Sequence, residues 1–370
     1  MARYNWELND WPNFSFSLQE IEDELFAFAE KIGKVSGIFN ALPQETQTEA
    51  MIDIIVAEAI KTSEIEGEYL SRKDVLSSIR KNLGLLTSPE YIPDKKALGI
   101  GKLMIDVRDS YRQDLNNKKL FDWHTMLMQG SKEIVVGAWR THEEPMQVVS
   151  GAMGKQKVHY EAPPSAIVPQ EMDRFITWFN ETAPGGKKEI KKAPVRSAIA
   201  HLYFETIHPF EDGNGRIGRA IAEKALSQGI GRPVLLSLSK AIEEKKSDYY
   251  EALQKAQSSN EITAWINYFV KTTLIAQTDS EEMIEFALKK TQFFNQYEDI
   301  LSERQTKVIR RMLEEGPKGF QGGMNATKYG SITKVSKATA TRDLQDLLRV
   351  GAIALIGKAG GRSTKYQVSL

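Results

Sequence analysis

Twelve residues constrain this chain more than any others: His208 to Arg219, reading His-Pro-Phe-Glu-Asp-Gly-Asn-Gly-Arg-Ile-Gly-Arg. Apolar residues recur before them at Val195, Ala198, Ile199, Leu202 and Tyr203, and after them at Ile217, Ala220, Ile221 and Ala225. Both sets have the spacing of an amphipathic helix. The stretch is therefore expected to be a loop between two helices, its second half opening the later helix.

The residue types in that loop point to a chemistry. Gly213-Asn214-Gly215 lets the backbone approach an anion and aim its N–H groups at it. The start of a helix adds free donors and a positive dipole end. Arg216 and Arg219 lie three apart, so both reach one polyanion. Asp212 is a hard oxygen ligand suited to a Mg²⁺ that keeps most of its waters and binds phosphates. His208 can take a proton near neutral pH. These are the parts of a nucleotide-phosphate cradle with a metal and a base, able to activate a hydroxyl for attack on phosphorus. Singly, each has a structural explanation, as a helix start or a hydrogen-bonded histidine. No fold needs all of them in one turn.

The stretch resembles the signature of the Fic family, His-x-Phe-x-Asp/Glu-Gly-Asn-Gly-Arg-x-x-Arg, at every fixed position: His208, Phe210, Asp212, Gly213, Asn214, Gly215, Arg216 and Arg219. The resemblance implies that His208 deprotonates a target hydroxyl and that Asp212 holds Mg²⁺. It implies that Asn214 and the loop amides, Gly213 and Gly215 included, hold the α-phosphate of ATP, and that Arg216 and Arg219 hold the β- and γ-phosphates. The implied reaction is transfer of AMP from ATP to a Ser, Thr or Tyr of a protein, possession of Gly215 favouring AMP over phosphate transfer. Phe210 is expected to anchor the loop in the core.

Three further segments join the reading. Residues 45–66 form a strong helix with Ile52, Ile55, Val56, Ala59 and Ile60 as its stripe and Gly67 as a stop. On its own this is a capped helix with acidic surface residues. Beside the Fic motif, Thr62-x-x-x-Glu66-Gly67 resembles the family's inhibitory motif, which implies that Glu66 pairs with Arg219 and takes the partner the γ-phosphate needs. Residues 145–162 read as a β-hairpin, with Val148-Val149-Ser150-Gly151 and Lys157-Val158-His159-Tyr160 around a Gly/Ala-rich turn. In the family this position is the flap, which aligns the target by main-chain hydrogen bonds, and Val148, Val149, Ser150 and Gly151 would border the nucleotide. Tyr249 and Tyr250 match a pair that lines the adenine pocket, and Gln257 stands where relatives have an Asn that touches the nucleotide.

The whole chain reads as a Fic-type helical bundle with a β-hairpin flap and a C-terminal winged helix-turn-helix domain. We expect an N-terminal helical region over 1–100, a catalytic core over 101–290 and the winged helix over 300–370. The last 70 residues carry 13 basic and 5 acidic groups, a net of +8 within a chain of net zero charge. Such a break marks a second kind of partner. Helices are expected at Arg304–Leu313, at Asn325–Tyr329, and from Ser336 to Arg349, then a hairpin of residues 352–356 and 364–368 around Gly360-Gly361. Lys337, Arg342, Lys358 and Arg362 make duplex DNA a candidate partner; the alternative use of a winged helix is protein contact or dimerisation.

There is no cysteine, which excludes a disulfide framework and thiolate chemistry. The opening residues lack an apolar signal region and no run reaches a membrane span, so a cytoplasmic location is expected, with no membrane partner. A homodimer is expected only from base rates. Two other functions stay open: removal of AMP by the same site, with Glu66 orienting a water, and a DNA-binding regulator whose Fic core senses nucleotide.

Overall fold

The computed structural model describes residues 3–85, 91–150, 157–357 and 364–370. Thr87 to Glu90, Gly151 of the hairpin, and Lys358, Gly360, Gly361 and Arg362 of the C-terminal hairpin lie outside them. The described elements are α1 (Glu22–Ala41), α2 (Gln44–Ile65), α3 (Arg72–Asn82), α4 (Lys95–Asp109), α5 (Asn117–Leu127), β1 (Gln147–Ser150), β2 (Lys157–Glu161), α6 (Val168–Glu181), α7 (Ala193–Ile207), α8 (Asn214–Ile230), α9 (Leu238–Glu244), α10 (Lys246–Ala256), α11 (Thr263–Tyr297), α12 (Glu303–Leu313), α13 (Ala326–Thr333), α14 (Lys337–Arg349), β3 (Ile353–Leu355) and β4 (Tyr366–Val368). The architecture is mainly helical.

Packing divides the chain into two compact units: residues 1–32 with 51–278, and residues 33–50 with 279–370. This follows contacts rather than the linear segments 1–100, 101–290 and 300–370. One helix, α11, runs unbroken from Thr263 to Tyr297. Gln277-Thr278-Asp279-Ser280 is polar and weakly helix-forming, but with neither Gly nor Pro from 263 to 297 nothing stops the helix.

In the first unit α7 is the centre. All fifteen of its residues are buried, as expected for a helix covered on every side. It lies against α8, where small residues permit close approach: a Cβ at Gly229 would press on Ala193, and Ser197 Oγ donates to Ala222 O at 2.8 Å. One core layer joins Ile52, Ile55 and Val56 of α2 with Phe204, Ile217 and Ile221. Another joins Ile199, Leu202 and Leu226 with Trp265, Ile266 and Phe269 of α11. β1 and β2 pair antiparallel, with an irregularity between Val148 and Val149. The N-terminal segment braces this hairpin: the Tyr4 ring meets Tyr160 edge-on at 5.1 Å, and Trp6 Nε1 donates to Glu161 O at 2.9 Å.

In the second unit α12, α13, α14 and the antiparallel pair β3–β4 enclose Val308, Ile309, Tyr329, Leu344 and Leu347. Ser302 and Ser336 cap α12 and α14 with their hydroxyls, satisfying first-turn N–H groups. Asp343 is buried on α14 and accepts from Arg304 Nε and the Tyr329 hydroxyl, both at 2.9 Å.

Candidate active site

α7 ends at His208, whose backbone turns left-handed with φ of 50°, an uncommon conformation for a residue other than glycine. The turn is held from outside. Arg140, 1% exposed, donates Nε to His208 O at 2.8 Å and Nη2 to Ile207 O at 3.2 Å, while its backbone N–H reaches Pro209 O at 2.9 Å. Phe210 is fully buried, stacked on His124 with ring centres 4.0 Å apart. The Asn214 side chain closes the loop on itself, accepting from Phe210 N at 2.9 Å and donating to Phe210 O at 2.8 Å. His124 accepts from Gly137 N at Nδ1, 2.9 Å away. Its Nε2 therefore carries the proton and donates to Asp212 O at 3.2 Å.

The second half of the loop opens α8. Gly213, with φ of 84°, is its N-cap and supplies no side-chain cap, so the first-turn N–H groups face the loop unspent. Asp212 is exposed. One of its oxygens takes the Gly213 N–H and Arg216 Nη2. Arg216 is buried and pairs with Glu68 at 2.5 Å. Arg219 is also buried: Nε donates to Thr62 Oγ1 at 2.7 Å, and Nη2 donates to Thr62 O at 2.9 Å and Glu66 Oε1 at 2.7 Å. Burial works against its charge, but Glu66 outweighs it and holds the guanidinium above its ordinary value. Thr62, in the last turn of α2, and Glu66, just past its end, stand at i and i+4 on one side. The helix stops there because Gly67 turns left-handed (φ 80°) and the N–H groups of Glu68 and Gly67 return to Ser63 O and Glu64 O, a Schellman ending. A Cβ at Gly215 would collide with the Glu66 carboxylate, so only glycine there admits the pair.

These groups surround a cavity of about 580 Å³ lined by Glu66, Val148, Val149, Tyr160, Glu205, His208, Gly215, Tyr249, Tyr250 and Gln257, within the usual range for a small-ligand site. Burial, then the charge of Arg140, push the His208 imidazole down to about 4, so the ring is neutral at pH 7 with a free lone pair. Tyr249 is buried with its hydroxyl 2.8 Å from His201 Nε2. Tyr250 is more open and donates to Ile65 O at 3.3 Å. Of the expected nucleotide residues, Ser150 ends β1. The side chains of Asn214 and Gln257 are engaged elsewhere, Gln257 Nε2 donating to Glu205 O at 3.2 Å. Arg140, His124, Glu68 and Glu205 are site residues that the motif alone does not reveal. Among the described residues there is no cluster of three metal-ligating side chains and no helix long and apolar enough to cross a membrane.

Residues 114–226 match the family described as Fic/DOC. The chain carries a Fic/DOC domain. The site described above draws on this domain, on Tyr249, Tyr250 and Gln257 beyond it, and on the end of α2, which falls in a second match, residues 4–85, to a domain of unknown function, DUF4172. Similar proteins include a protein adenylyltransferase Fic of Nematostella vectensis, 26% identical over 36% of this chain and 29% of that protein. The protein adenylyltransferase fic-1 of Caenorhabditis briggsae is 28% identical over 29% of this chain and 19% of that one. The matched part is thus less than a third of either relative's length. A Fic family protein from Desulfovibrio desulfuricans G20 has a similar structure, with a TM-score of 0.54 at 19% identity over 97% of this chain and 98% of that one. A Fic domain containing signaling protein from Bacteroides thetaiotaomicron VPI-5482 gives 0.52 at 16% identity, over 72% and 97%. These two likenesses concern the fold. Both relatives carry the name protein adenylyltransferase.

Proposed function

We propose that the protein transfers AMP from ATP to a Ser, Thr or Tyr hydroxyl of a protein, and that Glu66 holds this activity off in the state described. His208 takes the hydroxyl proton. The hydroxyl oxygen bonds to the α-phosphorus while the bond to the β-phosphate oxygen breaks and pyrophosphate leaves. The unspent N–H groups at the start of α8 receive the α-phosphate, and Arg216 and Arg219 the β- and γ-phosphates. Asn214 contributes by closing the loop, and Val148, Val149, Tyr249 and Tyr250 wall the base. The flap edge takes the target's main chain.

Asp212 fits a Mg²⁺ site. It is exposed, and its second oxygen carries no hydrogen bond among the described residues. A single carboxylate suits an ion that takes its other ligands from phosphates and water. When bound, Mg²⁺ would offset the charge of the transferred phosphates.

The observation that carries this reading is Arg219. Its three hydrogen bonds all go to Thr62 and Glu66, and Glu66 lines the same cavity as His208. A γ-phosphate would offer its oxygens to the same guanidinium donors that the carboxylate now occupies. Labelled ATP tests it. Glu66→Gly should label protein on the order of tenfold or more above wild type, and Glu66→Gly/His208→Ala should lose the label. No gain on removing Glu66 would end the inhibitory reading, and label that survives loss of His208 would end the base assignment.

In the C-terminal unit the reading is a winged helix that binds duplex DNA. α14 turns Asp343 inward onto Arg304 and Tyr329 and leaves Lys337, Thr341, Arg342 and Arg349 exposed, a face suited to phosphates. A duplex mobility shift that weakens with salt is expected; no shift at low salt would remove this function.

A further inference from the structure

Glu205 lines the cavity and has no task in the reaction above. It sits three residues before His208 on α7 and is 4% exposed. Its Oε2 stands 3.8 Å from His208 Nδ1, and its Oε1, fully buried, has no hydrogen-bond partner among the described residues. Its place is built by neighbours. A Cβ at Gly218 would collide with Oε1, so the carboxyl fits because α8 has glycine there. The Glu205 carbonyl is fixed by Gln257 Nε2 at 3.2 Å. A buried carboxyl with an unfilled oxygen is unfavourable, and such groups concentrate where chemistry needs them.

His208 needs a partner of this kind. It is buried, and Arg140 sets a positive charge against it. Taking a proton would create a second buried cation. We propose that Glu205 is a positioning residue for His208: its carboxylate faces the Nδ1 edge of the ring and supports the positive charge His208 acquires on deprotonating the target hydroxyl. The proton passes from the target oxygen to the imidazole, and Glu205 contributes charge alone. This rests on the proposal that His208 is the base.

The surroundings link this device to the Glu66 lock. Glu205 faces Arg219 on α8, Glu66 after α2, Tyr249 on α10, and His201 and His208 on its own helix. His208 also faces Arg140, Asp212 and Glu66. With Glu66 in place, burial and that second carboxylate push the Glu205 carboxyl up to about 8, against the pull of Arg219, so it stays neutral. When Glu66 leaves, Arg219 favours the ionised form. The lock thus silences Glu205, while the Glu66 carboxylate itself favours the protonated His208 ring.

Ring-labelled histidine followed by nitrogen NMR in the full chain tests this without any activity. In Glu66→Gly, the His208 ring should titrate at higher pH than in Glu66→Gly/Glu205→Gln, because the Glu205 carboxylate favours the imidazolium. Equal midpoints in the two proteins, or a lower one in Glu66→Gly, overturn the proposal. Transfer kinetics give a second arm: Glu205→Gln in the Glu66→Gly background should lower kcat about tenfold, one pKa unit of lost support, with the KM for ATP unchanged. Glu205→Asp, which keeps the charge, should recover part of that loss. Unchanged kcat, or Asp worse than Gln, overturns it. If Glu66→Gly transfers no AMP, the functional reading fails, and the NMR arm still decides the place of Glu205.

Discussion

The two halves of the His208–Arg219 loop are fastened by different chemistry. The first half hangs on neutral groups: Arg140 binds the carbonyls of Ile207, His208 and Pro209, and Asn214 clasps Phe210 in both directions. The second half hangs on carboxylates: Glu66 holds Arg219, and Glu68 holds Arg216. A guanidinium among carbonyls has nothing to exchange with when a nucleotide enters, because it is already committed to neutral backbone oxygens. A guanidinium on a carboxylate can trade it for phosphate with little change of geometry. The loop is fixed where His208 has to stand still and exchangeable where phosphates have to enter.

The hardest way to break that division is at Arg140. Arg140→Ala leaves buried carbonyls and Ser165 Oγ, also bound by this side chain at 2.9 Å, without a donor. We expect a loss of roughly 3 kcal/mol or more in unfolding free energy, read by urea denaturation. In the Glu66→Gly background, transfer should fall on the order of a hundredfold, the share a positioned base supplies. Arg140→Lys should not restore either, since an ammonium cannot span the fork. A variant of wild-type stability that still transfers AMP would show that the first half needs no outside fastening.

A smaller effect is expected at Glu68. Its carboxylate is shared, with Lys96 at 2.7 Å as well as Arg216, and it is partly open to solvent, where ion pairs are weak. Glu68→Ala alone should leave the protein inactive, because Arg219 stays with Glu66. Combined with Glu66→Gly it should lower the KM for ATP about threefold at unchanged kcat, as expected for a weak competitor removed from a phosphate site. If Glu68→Ala by itself activated as strongly as Glu66→Gly, the two arginines would be one lock rather than two.

How far the sequence showed this depends on the range of each contact. The carboxylate half was legible: Glu66 lies in a motif at a fixed distance from Thr62, and Arg219 in another. The neutral half was not. Arg140 lies 68 residues from His208, and a guanidinium that binds carbonyls needs no particular residue type opposite it, so no pairing pattern marks it. His124 looked like any histidine on an amphipathic helix. Glu205 and Glu68 were within reach, one a helical turn before His208 and the other two residues past Glu66, had the spacing rule been extended beyond the motifs. The same holds for α11, where the absence of Gly and Pro outweighs a short polar run.

The distinction between carbonyl-held and carboxylate-held arginines also governs the core, and there pH can test it. Arg108 is buried on α4, and its Nη1 donates to Val234 O at 2.7 Å, leaving Glu223 of α8 at 3.9 Å. Arg108 is committed to a carbonyl, as Arg140 is, so Glu223 gains little from it. Burial, less the pull of Arg108 and with a push from Glu58, raises Glu223 to about 8. A carboxyl raised above its unfolded value near 4.5 binds more protons folded than unfolded between those two pH values. Its contribution to stability is therefore complete below about pH 4.5 and is lost as pH rises toward 8. Glu223→Gln, which cannot ionise, should melt close to wild type at pH 5 and about 3 °C or more higher at pH 8. A difference in Tm that does not grow with pH would mean that Glu223 is paired after all, and that Arg108 belongs with Arg219.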